Sequence, residues 1–387
     1  MTLSEIALLQ KKSRLKGIGL MSGTSLDGLD IGYYELWWDE DGRFQFRQID
    51  AVTVDYPAIL HRSLKAVTSK SQVDSATFTL MNRRWSQFAA EEVERFLKRQ
   101  EHTEQKPDFV ASHGHTFFHL PSLACDDNLA ATFQLGTGAF IAKKLNCPVI
   151  YDLRQDEIAG GREGAPIAPY LDLLLTNPAI DHPVIYLNLG GISNFTIVEN
   201  NDGKLTQKAT DCGPANKLID LGMEKHFGQP FDEDGEVARN GTLDAEFLVE
   251  MKSDPFFAAD FPKSTGPEYF NWKWVVGKMN ERALHPRDII HTLAMLTVLS
   301  IRDAVLKMST GDNRGKMYVS GGGARNSFLL EKLNESLPEI DVVKSDQIGV
   351  KSDDKETLLI AALGFVRLTE PESFPEDVIP RLGSLAW

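Results

Sequence analysis

Three glycine-rich turns, each closing a short apolar run, constrain this chain more than any other feature. Lys16–Met21 runs into Ser22–Gly28, Val184–Leu189 into Gly190-Gly191, and Met317–Ser320 into Gly321–Gly323. Apolar runs of this length bounded by glycine read as strands. The first turn leads into further strands at Leu29–Trp37 and Phe44–Val54, the second into Phe195–Val198. Helical spacing follows at Thr77–Arg99, Gly138–Leu145, Asn216–His226, Asp288–Leu306 and Lys355–Leu368. Phe109–Ser112 reads as a strand entering a turn at His113–Thr116, and Pro148–Asp152 as another strand. The chain of 387 residues is long enough for two domains. The echo between Gly19–Asp30 and Leu187–Thr196 makes these two similar α/β halves, 1–182 and 183–387, with the last helix free to pack back on the first. Halves of this kind place a ligand in the cleft between them.

Small residues at strand ends let backbone N–H groups approach phosphate oxygens, and Thr24 and Ser25 add hydroxyl donors. A tight hairpin explains any single turn equally well. Three such turns suit a nucleotide, two clamping phosphates and the third accepting a nucleoside. The familiar phosphate fingerprints are missing: there is no G-x-x-x-x-G-K-[ST], and Gly17-x-Gly19 lacks the third glycine of the dinucleotide motif. The net charge of −14 excludes nucleic acid as a partner. A phosphate ligand must therefore be met locally, by amides or a metal, against the field of the whole chain. The 3 cysteines form no C-x-x-C pair, so neither a disulfide framework nor a zinc site is indicated and a reducing compartment fits. The apolar runs near His291–Ile301 and Thr357–Val366 are shorter than the roughly 18 residues of a membrane helix. The reading is a cytoplasmic protein with no membrane partner.

Seven segments carry a family resemblance: GLMSGTSLDGLD at 19–30, SHGHTFFH at 112–119, GAPIAP at 164–169, LNLGGISNF at 187–195, DCGPAN at 211–216, STG at 264–266 and SGGGARN at 320–326. In this order they resemble the anhydro-N-acetylmuramic acid kinases, within the sugar-kinase/actin/chaperone-ATPase superfamily. Met21 and Asn188 stand where other sugar kinases carry Asp, as in the anhydro-sugar branch. The resemblance implies an actin-like ATPase fold of two RNase-H-like lobes. It also implies an activity: ATP and Mg²⁺ are used to open the 1,6-anhydro ring of the sugar and phosphorylate O6, a step of peptidoglycan recycling. Closure of the lobes on the sugar is expected, and a homodimer is left open. A kinase of another 1,6-anhydro sugar, of the levoglucosan type, and a non-catalytic nucleotide-binding protein are the alternatives.

The same resemblance assigns residues. Gly23, Thr24, Ser25, Leu26, Asp27, Gly28, Leu29 and Asp30 form the first nucleotide motif, Asn188, Gly190 and Gly191 the second, and Gly321, Gly322, Gly323 and Asn326 the third. His113, His115, Thr116, Gln134 and Arg162 are candidate sugar contacts. Asp211 either orients the Mg²⁺–phosphate group or caps the helix that follows it. Glu356 either caps the last helix or meets the ribose. The family's base is an Asp in a stretch like D-F-R-x-x-D-x-A-x-G-G-Q-G-A-P. Here residues 152–166 read DLRQDEIAGGREGAP. Laid without a gap, the position falls on Glu157; counted back from Gly160-Gly161, it falls on Asp156. Asp156 is preferred because its length suits the family geometry.

Overall fold

The computed structural model describes residues 9, 12–23, 26, 28–68, 72–99, 106–120, 127, 129–201, 203–266, 269–309, 314–351, 354–369 and 379–386. Thr24, Ser25 and Asp27 of the first motif lie outside the described residues. The chain forms two units, Met1–Leu175 with Asp354–Trp387, and Thr176–Asp353.

The first unit opens on an antiparallel meander, β1 (Arg14–Ser22), β2 (Leu29–Trp38) and β3 (Phe44–Val54). Helices α1 (Ala58–Thr68) and α2 (Ser75–Leu97) follow. Asp74 starts α2 by accepting the Thr77 N–H, and Met81, Trp85, Phe88 and Phe96 bury its apolar stripe. Strand β4 (Phe109–Leu120) then lies parallel to β1, β5 (Ala131–Leu135) folds back on β4, and β6 (Val149–Tyr151) extends the sheet in parallel beyond α3 (Gly138–Leu145). Two short helices, α4 (Leu153–Ala159) and α5 (Ala168–Leu175), complete this segment.

The second unit repeats the plan. Strands β7 (Val184–Leu189), β8 (Ile192–Asn201) and β9 (Lys204–Pro214) form the meander. After α6 (Asn216–Phe227), α7 (Glu236–Arg239), α8 (Ala245–Lys252), α9 (Pro255–Ala258), α10 (Trp272–Met279) and α11 (Pro286–Met308), β10 (Gly315–Ser320) pairs parallel with β7. Helix α12 (Ser327–Ser336) leads to β11 (Ile340–Lys344), parallel to β10. The chain returns to the first unit with α13 (Lys355–Leu368) and β12 (Ser384–Ala386). The matching strand orders are β3-β2-β1-β4-β6 and β9-β8-β7-β10-β11. This is the duplicated mixed-sheet fold expected from the echo between the two halves.

Three expectations change. His113–Thr116 is not a turn but the middle of β4, where a bulge opposite Leu20–Ser22 inserts one extra residue and Gly114 takes φ +77°. Asp211 lies inside a strand, β9, rather than in a loop before a helix. Helix α11 is longer than its apolar run and meets the length and hydropathy of a membrane span, with 67% of that window buried. Its buried residues, Ile289 to Met308, belong to the core of the second unit together with β7, β8 and β10.

In the first unit, α13 lies directly on β1 and β2, and glycine makes this approach feasible. Gly19 and Gly32 face each other across the strand pair. A Cβ on Gly19 would lie 1.9 Å from the Thr357 carbonyl oxygen, and one on Gly32 2.4 Å from Thr357 Oγ1. Gly19→Ala is expected to destabilise the first unit by about 3 kcal/mol or more, because helix backbone must move to admit a methyl group. Gly277→Ala, with no atom near its would-be Cβ in helix α10, is expected to stabilise by roughly 0.5–1 kcal/mol. Urea unfolding of both variants checks the pair.

Candidate active site

In the first unit the polar groups gather around α4. Asp152 enters the helix at φ +58°, and Arg154 and Glu157, three residues apart, share one face. Arg154 Nε donates to His113 Nε2 at 2.7 Å, and its Nη1 donates to the Gly164 carbonyl at 3.0 Å. His113 Nδ1 sits 3.0 Å from its neighbour's carbonyl, Gly114 O, so Nδ1 carries the hydrogen and Nε2 accepts. Burial, followed by the Arg154 charge, pushes the His113 imidazole down to about 3. The bulge in β4 aims His113 at Arg154, and both of its nitrogens are committed to protein.

Glu157 is buried, and its Oε1 accepts from the Tyr170 hydroxyl and, at 3.1 Å, from Arg162 Nε. Oε2 accepts from none of the described residues. Burial lowers the Arg154 guanidinium, while the Glu157 and Glu356 charges pull it back up. Glu356, in the first turn of α13, is exposed to solvent on one side and packed against protein on the other. Desolvation by the packed side, with the Asp30 charge, pushes its carboxyl upward. Asp156 faces elsewhere: its Oδ2 accepts the Gly383 N–H at 2.9 Å. Arg154 thus links Glu157 to Glu356, and Glu356 is linked in turn to Asp30, while Asp156 enters none of these pairs.

A second network holds the end of β1. Ser22 Oγ shares a 2.8 Å hydrogen bond with His115 Nδ1 and a 2.5 Å bond with the Tyr56 hydroxyl, which accepts from Trp85 Nε1. His115 is fully buried, its Nε2 has no partner among the described residues, and burial pushes it down to about 4. Thr116 and Gln134 sit opposite each other in the β4–β5 hairpin, where Gln134 Nε2 donates to Thr132 Oγ1. Of the first motif, the described residues Gly23, Leu26 and Gly28 form the turn, and Leu29 and Asp30 begin β2.

In the second unit the second and third motifs pack against each other at the ends of adjacent parallel strands, with Asn188 beside Ser320. This is where open α/β sheets bind ligands. Gly321 takes φ +83°, and a Cβ there would lie 2.5 Å from Asn188 Oδ1. The Gly190 and Gly191 carbonyls accept the Asn216 and Ala215 N–H groups, which docks the turn on the start of α6. Asn216 Nδ2 donates to the Leu189 carbonyl, and a Cβ on Gly323 would crowd the same Asn216 side chain. Gly322 follows in the short helical turn, and Asn326 caps α12 by accepting the Leu329 N–H.

Asp211 does not cap α6, whose N-cap is Ala215 with no side-chain bond. Its Oδ2 instead accepts from the Thr265 N–H at 2.8 Å and Ser264 Oγ at 3.1 Å, and burial raises its carboxyl. Two motifs 53 residues apart in the chain, DCGPAN and STG, are thereby hydrogen-bonded to each other. Neither does Glu356 cap α13, since Asp354 is the N-cap residue.

The family model for anhydro-N-acetylmuramic acid kinase matches residues 15–379. The chain belongs to the anhydro-N-acetylmuramic acid kinase family. It is 34% identical over 350 residues to the anhydro-N-acetylmuramic acid kinase of Pseudomonas putida, covering 89% of this chain and 91% of that protein. It is 33% identical over 372 residues to that of Aliivibrio fischeri, covering 94% and 95%, and 34% identical over 363 residues to that of Salinibacter ruber, covering 92% and 90%. The family consists of ATP-using phosphotransferases, so the glycine turns described above stand in a kinase of small molecules.

Both buried histidines titrate below their ordinary value of 6.5 when folded. Below that pH the unfolded chain binds more protons than the folded one. Their stabilisation is therefore complete above about pH 6.5 and is lost as pH falls toward the folded values. Urea midpoints between pH 7 and 5 should fall by an amount equivalent to about 2 kcal/mol per histidine. His115→Gln should reduce the slope by one proton.

Proposed function

We propose that this chain opens the 1,6-anhydro bridge of anhydro-N-acetylmuramic acid and phosphorylates O6 with ATP, giving N-acetylmuramic acid 6-phosphate, and that it does so in the cytoplasm. The observation that carries the chemistry is Glu157, a buried carboxylate with one oxygen fixed by Tyr170 and Arg162 and the other uncommitted among the described residues. Glu157 takes a proton from water as the water oxygen bonds to the anomeric carbon. The C1–O6 bond breaks, and O6 accepts the γ-phosphoryl group as its negative charge develops. Arg154, held by His113 and Gly164, keeps a positive charge beside Glu157. Glu356, its carboxyl pushed upward by the protein around it and by the Asp30 charge, is a neighbouring group suited to hold a proton.

The nucleotide is assigned to Gly23–Asp30, Gly190-Gly191 and Gly321–Gly323, with Asn188 and Asn326 fixing the last two turns. Asp211 suits Mg²⁺: its Oδ2 is immobilised by Ser264 and Thr265, its other oxygen accepts from none of the described residues, and magnesium takes carboxylate oxygen. Bound there, Mg²⁺ would neutralise phosphate charge. The sugar is assigned to the β4–β5 hairpin with Thr116 and Gln134, and to Arg162. His113 and His115 support these groups from within the sheet.

Glu157→Gln is expected to lower turnover by about 10²–10⁴-fold, while Asp156→Asn stays within a few-fold of wild type. Coupled ADP release measures both, and the reverse ranking would return the base to Asp156. In ¹⁸O-water, one label should enter at C1 of the product and none at the phosphate ester oxygen. Turnover of 1,6-anhydroglucose but not of anhydro-N-acetylmuramic acid would move the substrate to the levoglucosan class. ATP binding without turnover of either sugar would leave only nucleotide binding. Removing Mg²⁺ with a chelator should weaken ATP binding at least tenfold, since no lysine lies within the second and third turns.

A further inference from the structure

A cavity of about 360 Å³ in the second unit is lined by none of the residues assigned to the site above. Three lysines from three separate elements line it: Lys252 at the end of α8, Lys263 in the loop after α9 and Lys307 near the end of α11. Phe257 and Phe261 form an apolar wall. The one acidic lining residue, Asp303, is already paired with Lys252 and with Arg302, whose Nη2 lies 2.7 Å away. Lys307 is exposed and has no carboxylate partner among the described residues; its ammonium stands 5.5 Å from the Phe261 ring. Lys263 is half-buried, donates to the Phe256 carbonyl at 2.8 Å and lies 4.4 Å from the Phe261 ring centre. Burial and the charges of Lys307 and Lys252 weaken its hold on its proton, with Asp303 opposing them. An excess of cations around a cavity is unexpected in a chain with net charge −14, and like charges facing one hollow are relieved by an anion.

We propose that this cavity is a second ligand site, taking the phosphate group of a small phosphorylated molecule between Lys252, Lys263 and Lys307, with its body against Phe257 and Phe261. Lysine serves as a point charge for phosphate without demanding the planar geometry of arginine. The volume fits a group of sugar size as well as the phosphate. Lys263 also accepts the Asp211 N–H on its carbonyl, so this pocket and Asp211 share one loop.

Isothermal titration of the whole chain, held without ATP, with inorganic phosphate, glucose 6-phosphate and glucose tests the proposal independently of any turnover. Phosphate and glucose 6-phosphate are expected to bind and glucose is not. Lys307→Glu, an exposed change, should weaken both anions at least tenfold, and Lys252→Ala should weaken them several-fold. Glu157→Gln should leave both anions unaffected. Tighter binding of glucose 6-phosphate would make the natural ligand a sugar phosphate; equal binding would make it free phosphate. Absence of binding by either anion overturns the proposal, as does binding that Lys307→Glu and Lys252→Ala both leave intact.

Discussion

The contact of α13 with the β1–β2 pair is the constraint on which the first unit depends. Helix backbone meets sheet backbone at Gly19, and the Thr357 hydroxyl meets it at Gly32, closer than any side chain on these strands would permit. This seating brings a segment from beyond residue 353 back onto strands formed before residue 40. Lys355 then reaches the buried Asp172 of α5 at 2.8 Å, and Tyr34 donates to the Asp354 carbonyl. A buried pair of this kind adds little net stability, but losing one partner typically costs about 3–5 kcal/mol. Its value here is one of register: it fixes the rotation of α13, and with it the position of Glu356 beside Arg154. A change at Gly19 would therefore be felt in the polar cluster as well as in the core.

That cluster shows how a small helix can separate two adjacent carboxylates. Successive residues of α4 point about 100° apart, so Asp156 and Glu157 cannot share a task. Asp156 fastens the C-terminal segment through the Gly383 amide. Glu157 turns toward Tyr170, Arg162 and the Arg154 charge. The longer Glu side chain is matched by partners that hold one oxygen, limiting the freedom that an added methylene would otherwise bring.

How much of this was legible in the sequence follows the range of the interactions involved. Val184–Leu189 and Lys355–Leu368 are found with the bounds read from pattern alone, because apolar runs and glycine are local signals. Strand β9, with lysines, threonines and an aspartate through its length, has no such run, so pattern alone does not mark it. The Gly-His-Thr of β4 reads as a turn, since a bulge and a turn use the same residues. The choice between Asp156 and Glu157 depends on partners 227 and 13 residues away, and a gap in a motif carries no trace of either. Asp211 was legible as a residue of interest, but its partners Ser264 and Thr265 come from a segment that no periodicity connects to it.

The acidity of the chain acquires a different meaning once charges are placed. A net charge of −14 describes the far field, which repels every phosphorylated ligand at a distance. Contact is governed by what lies within a few ångströms, because salt screens the far field within about 8 Å at physiological ionic strength. Under the proposed assignment, the glycine turns of the second unit would answer a phosphate with neutral amides, which adds no charge to the protein, and a metal at Asp211 would supply the neutralisation. The lysine-lined cavity is built differently, with fixed cations beside aromatic rings. Neutral amides, with a metal that would be held at Asp211, would suit a ligand that must give up a phosphoryl group. Fixed ammonium groups suit a ligand that is only held. The two designs within one unit are therefore consistent with one place for chemistry and one for recognition.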